Sequence, residues 1–163
     1  MVRLTALYVD FTCVDSYRIW RWVSRLPDPS TVEVRPFPND AEERGSPWDR
    51  QVGSVGMDLL ALGELAREQG ADVHQRYVPA VFRTMHDDPD AASSVEEWLR
   101  LAAELGLDLG AFTADPDRWR AEVGLWHAEA KDELGVTGVP TLVFEGASRA
   151  ARAAARRSGR GPG

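Results

Sequence analysis

The sequence predicts an α/β fold: a strand–helix–strand unit opens the chain, an all-helical insertion follows, and one further strand returns to the sheet. Three observations carry this. Residues 4–11 form an apolar, β-rich run that meets an amphipathic run with helical spacing. From the second strand to Thr137 the chain shows only helical patterns separated by turn-rich loops. Residues 135–146 then place a proline-bearing loop before a β-branched and aromatic run.

Taken in order, Leu4, Ala6, Leu7, Tyr8 and Val9 give a near-continuous apolar strand suited to burial on both faces, so this strand belongs in the sheet centre. After Thr12 and Cys13, the residues Ile19, Trp20, Val23 and Leu26 recur at helical spacing until Pro27 and Pro29 stop the helix. Residues 31–37 alternate Val32, Val34 and Phe37 with polar residues and read as a second strand, parallel to the first across a right-handed crossover. Ser46-Pro47-Trp48-Asp49 carries the signature of a helix start. Helices are expected over 57–69, ending at Gly70, and over 73–85, where Pro79 occupies the first turn or kinks the helix. A loop at 86–90 precedes a capped helix at 94–105 with Val95, Trp98, Leu99 and Ala102 on one face, closed by Gly106. Asp115-Pro116 opens a last helix striped by Trp119, Val123 and Trp126.

The organisation expected is an N-terminal βαβ half over 1–45, a helical lobe over 46–134, a loop and completing strand over 135–146, and an Ala/Arg-rich, partly disordered tail over 147–163. Composition narrows the function classes. Among 163 residues the formal charge is −7, which argues against nucleic-acid binding; the arginines of the tail read as a solvated end. No apolar segment approaches the roughly 18 residues of a membrane span, and the start lacks secretory-signal features, so a cytoplasmic protein with no membrane partner is expected. The single cysteine excludes an internal disulfide framework, and His74, His86 and His127 lack metal-ligand spacing, so no metal is expected. The histidines, the carboxylates such as Glu96 and Glu97, and most tryptophans read as surface or packing residues.

Cys13 is read in two ways. A free cysteine is commonly a small buried hydrophobe. A thiol where a strand gives way to a helix start also meets free amides and the positive end of the helix dipole, which stabilise a thiolate. Ser16, one turn later, is either a partner for the sulfur or an ordinary first-turn serine.

The residues D-F-T-C-V-D-S-Y at 10–17 resemble the D-F-x-C-P-x-C-Y active turn of DsbA-like thioredoxin-fold oxidoreductases. G-V-T-G-V-P-T-L-V-F at 135–144 is similar to that family's cis-proline loop and following strand, and a helical insertion between the motifs is the family's hallmark. The resemblance covers residues 4–146. It implies a thioredoxin-like fold with an inserted helical lobe, in which Cys13 is the nucleophile and Ser16 stands where a resolving cysteine would. It further implies that Pro140 is cis and that the Val139 backbone pairs with a substrate as a short strand does.

Three departures shape the chemistry. With Ser16 in place of a second cysteine the chain cannot cycle as a dithiol oxidase and is limited to mixed disulfides or thiol binding. Asp15 puts a carboxylate beside the thiol, which opposes thiolate formation. The strand and helix that follow T-L-V-F in the family are replaced by the Arg/Ala tail, so the sheet is expected to be a strand short. The resemblance therefore implies a monothiol oxidoreductase-like protein. Its partners would be a disulfide-bearing protein or peptide, or a low-molecular-weight thiol such as glutathione or mycothiol, with no cofactor bound permanently. The alternatives are a thiol-dependent isomerase or transferase similar to the kappa-class and 2-hydroxychromene-2-carboxylate isomerase group, and a non-catalytic thioredoxin-fold binding module.

Overall fold

The structure, a computed structural model, describes residues 2–39 and 55–146. The expected helix start at Ser46-Pro47-Trp48-Asp49 and the Ala/Arg tail lie outside the described residues. What is described is a mixed α/β arrangement: a small three-stranded sheet and seven α-helices.

Strand β1 (Arg3–Val9) lies at the centre of the order β2-β1-β3, as its apolar run predicts. Ala6, Leu7 and Tyr8 are wholly buried, so neither face of the strand meets water. β2 (Glu33–Pro36) pairs parallel to it, with Leu7 opposite Val34, and β3 (Thr141–Glu145) pairs antiparallel, with Tyr8 opposite Thr141 and a register shift between Leu4 and Ala6. The second strand is shorter than the alternation predicts, because Pro29–Thr31 closes a 3₁₀ turn before it.

Helix α1 (Val14–Val23) begins at Cys13, its N-cap, and ends before Pro27. The helical spacing continues to Leu26 as a tightened turn in which Arg25 N–H donates to the Trp22 carbonyl (3.1 Å) and Leu26 N–H to that of Val23 (3.0 Å). α2 (Val55–Gln69) and α3 (Ala71–Asp87) are separated only by Gly70, whose φ of 150° brings a would-be Cβ within 2.7 Å of the Asp72 carboxylate. Pro79 falls inside α3 rather than in its first turn, and the helix runs on into the expected 86–90 loop as far as Asp87. α4 (Pro89–Ala92) and α6 (Leu109–Ala114) are short turns that no apolar period announces.

α5 (Val95–Glu104) and α7 (Pro116–Leu134) start where the capping residues place them: Ser94 Oγ accepts the Glu97 amide, and Asp115 accepts that of Arg118. On α5 only Trp98 and Ala102 of the expected face are buried, whereas Val95 and Leu99 remain exposed. Left-handed Gly135 (φ 67°) ends α7, and Val136 N–H returns to the Ala130 carbonyl at 2.9 Å.

The two faces of β1 feed different clusters. Leu7 and Val9 join a large core with Tyr17 and Val23 of α1, Leu60 and Leu65 of α2, Val78, Val81 and Phe82 of α3, and Trp119 and Val123 of α7. Tyr8 points to the other face, where it meets Phe37, Ala130 and Val136. This clamping of β1 on both faces fixes the strand end from which the Cys13 turn projects.

Candidate functional site

The site grows from the chain reversal that links β1 to α1. Asp10, buried although charged, holds that reversal: one carboxylate oxygen accepts the Thr12 amide (3.0 Å) and the Thr12 hydroxyl (2.8 Å), and the other accepts the Asn39 amide (3.0 Å). A carboxylate bonded by several donors satisfies its charge without water. Cys13 N–H closes the turn onto the Asp10 carbonyl at 3.0 Å. One side chain thus ties the cysteine turn to the segment leaving β2.

Cys13 caps α1 with extended backbone (φ −86°, ψ 118°), and its sulfur, half-buried, accepts the Ser16 backbone N–H at 3.5 Å. It is neither core filler nor fully solvated. Ser16 itself is completely buried, and its hydroxyl oxygen accepts the Asp10 amide at 3.3 Å. The contact to the sulfur is therefore made by the Ser16 main chain, while its side chain joins the turn's own hydrogen bonding. Asp15 pairs with Arg18 across one exposed helical turn (3.0 Å), which gives the carboxylate beside the thiol a cationic neighbour.

The second predicted element arrives from the far end of the chain. The Val139–Pro140 bond is cis, Thr141 Oγ1 donates to the Gly138 carbonyl (2.7 Å), and Val139 and Pro140 are partly exposed. Because β3 runs antiparallel to β1 with Thr141 opposite Tyr8, this loop sits at the same end of the sheet as the Cys13 turn. Asn39 lies between them: its amide bonds Asp10, and its side-chain oxygen is 4.0 Å from where a Cβ on Gly138 would sit. The structure thus gathers Cys13, Ser16, Val139 and Pro140 at one end of the sheet.

The same end receives residues that sequence reasoning set aside. The final turn of α3 docks on the reversal: His86 Nε2 is 2.7 Å from the Phe11 carbonyl oxygen, and its ring stacks on Tyr17 with centroids 5.1 Å apart. Tyr17 O–H donates to Asp87 at 2.7 Å, and this bond, with burial adding to it, raises the phenol above its ordinary pKa. Phe82, one turn earlier on α3, packs against Phe11, Tyr17 and Trp20. No local signal in the sequence links residues 82–87 to residues 10–17; the only hint is that Phe82 and His86 share a helical face.

Away from this end, His74 sits at the margin of a groove of about 770 Å³ between α1, α3 and residues 29–34; burial chiefly, and then Arg67, lowers its pKa to about 3. Glu64 accepts the Trp126 indole N–H (2.9 Å) beside Arg67, and burial raises its pKa. Among the described residues, no three His, Cys, Asp or Glu side chains are grouped to hold a metal ion, and no helix is long and apolar enough to cross a membrane. Comparison with known proteins finds no protein-family model and no curated relative that matches the chain.

Proposed function

We propose that the chain is a cytoplasmic monothiol protein of thioredoxin-like fold that forms mixed disulfides through Cys13, with a low-molecular-weight thiol such as glutathione or mycothiol, or a disulfide-bearing protein or peptide, as its partner. The observation that carries this reading is the half-buried Cys13 sulfur at the N-cap of α1, taking the Ser16 amide, at the same end of the sheet as the cis Val139–Pro140 loop. The strand order β2-β1-β3, parallel on one side of β1 and antiparallel on the other, supports the fold assignment.

In the proposed step the Cys13 thiolate attacks one sulfur of a disulfide. The new sulfur–sulfur bond forms as the old one breaks, and the displaced sulfur leaves with the bonding electron pair as a thiolate that takes a proton from solvent. Amides at the start of α1 stabilise negative charge on the Cys13 sulfur before attack. With no second cysteine in the chain, release of the mixed disulfide requires an external thiol. In this reading the backbone of Val139, a partly exposed residue, pairs with an extended partner chain while the sulfurs exchange.

Incubation of the folded protein with oxidised glutathione or the disulfide of mycothiol, followed by intact mass measurement, tests this. A single adduct that Cys13→Ser abolishes is the expected result. An unmodified folded protein whose urea-unfolded form is readily modified would show that the fold shields the thiol, and would overturn the proposal.

A further inference from the structure

We propose that His86 is the positioning residue of the Cys13 turn. This deepens the monothiol reading and rests on it for its chemical consequence, but its geometric content stands apart. Two consecutive residues of α3 grip the thiol's surroundings from both sides. His86 reaches the Phe11 carbonyl at 2.7 Å, on the strand side of Cys13, and the bond requires the proton to lie on Nε2. Asp87 accepts the Tyr17 hydroxyl at 2.7 Å, on the helix side. The His86 ring stacks on Tyr17 (5.1 Å) and lies near Phe82 (6.3 Å), so packing fixes its orientation as well as its hydrogen bond.

The reversal needs such a grip. Asp10 secures it from the β2 side through Asn39, and among the described residues the side chain that reaches the Phe11 carbonyl is that of His86. The Ser16 N–H meets the Cys13 sulfur at 3.5 Å, an ordinary length for a sulfur acceptor, and this contact depends on the turn holding the sulfur over the start of α1. An imidazole anchored in aromatic packing holds the Phe11 peptide, and with it the approach of the Cys13 sulfur to the α1 amides. Misplacement of a reacting atom by about 1 Å can cost on the order of a hundredfold in rate.

Two variants separate the hydrogen bond from the packing. His86→Phe keeps a stacked ring and loses the donor, whereas His86→Gln keeps an N–H able to reach the Phe11 carbonyl. Two readouts are taken on each folded variant: amide hydrogen exchange at Thr12, Cys13 and Ser16, and the rate of Cys13 adduct formation with oxidised glutathione. The expected result is that His86→Phe exchanges about tenfold faster at these amides and reacts about tenfold more slowly, while His86→Gln restores both to within about threefold of the parent protein. Unchanged exchange at these amides in His86→Phe, or a failure of His86→Gln to rescue them, overturns the positioning role. A parent protein that gives no adduct overturns the monothiol reading instead, and the exchange data then still decide whether His86 holds the turn.

Discussion

Replacing Asp10 tests the construction of the cysteine turn, and the structure gives the size of the effect. The carboxylate divides its work: one oxygen takes both Thr12 donors at 3.0 and 2.8 Å, and the other takes the Asn39 amide at 3.0 Å. In Asp10→Asn the single remaining oxygen faces Thr12, where two donors converge, and the new NH₂ group then opposes the Asn39 N–H. One charge-assisted bond is lost and one partly buried donor is stranded, at a cost of about 1.5–3 kcal/mol. Asp10→Ala loses all three bonds. Water can reach the part-buried donors and soften the loss, so the cost is about 3–5 kcal/mol rather than the full sum. Urea unfolding followed by circular dichroism reads both variants. With a slope of about 1–3 kcal/mol per molar urea, the midpoints should fall by about 1 M for Asn and about 2 M for Ala. Asp10→Asn within about 0.5 kcal/mol of the parent would refute the reasoning. Equal costs for Asn and Ala would refute the division of labour between the two oxygens.

Other expectations follow from the buried side chains. Phe82 is wholly buried, with ring centroids of Phe11, Trp20 and Tyr17 within 5.0, 5.4 and 5.6 Å, so Phe82→Ala should cost about 3–5 kcal/mol and Phe82→Leu under about 1.5. Chemical denaturation checks this, and an Ala cost below about 1 kcal/mol would mean that the cluster collapses around the gap. For His74 the folded-state pKa, about 3, lies below the ordinary 6.5. At neutral pH both folded and unfolded chains carry it uncharged; as pH falls below 6.5 the unfolded chain takes up a proton that the folded chain refuses until about 3, so stability declines across that window. His74→Leu should flatten the decline. Glu64, raised by burial, acts in the opposite sense in both proteins and cancels from the comparison. Parallel stability–pH curves for parent and variant would contradict the lowered pKa of His74.

What could be read in the sequence was local. The near-continuous apolar run of β1 announced a strand buried on both faces, and Ser94 and Asp115-Pro116 announced helix starts, because each signal lies within a few residues of what it fixes. Short turns such as α4 and α6 escaped because four to six residues hold no apolar period. Spacing puts Val95 and Leu99 on one face with Trp98 and Ala102, yet α5 meets the core through Trp98, Leu101 and Ala102 and leaves Val95 and Leu99 exposed, because a period cannot tell which part of a face its neighbours cover. Trp126 fits the α7 stripe, yet it is only partly buried: the guanidinium groups of Arg35 and Arg67 lie over its ring at 5.1 and 5.2 Å, a partnership between distant segments. At the candidate site, Cys13, Ser16, Val139 and Pro140 were legible as short motifs. The grip of His86 and Asp87 was not, because it joins residues about 70 positions apart.

The central place of β1 has a consequence for how the chain assembles. Its parallel partner follows within the first forty residues, but its antiparallel partner arrives from the other end, with Arg3 and Glu145 separated by 142 positions. Contacts of such separation slow folding, since a long loop must close before the pairing rewards it. On the ribosome, at about 5–20 residues per second, the nascent β1 waits about ten seconds for β3. During that interval the edge of the Ala6-Leu7-Tyr8 segment that β3 will cover is unpaired and open to association with other chains. The strand that leads into the Cys13 turn is therefore left open to misassembly along one edge while the protein is being made.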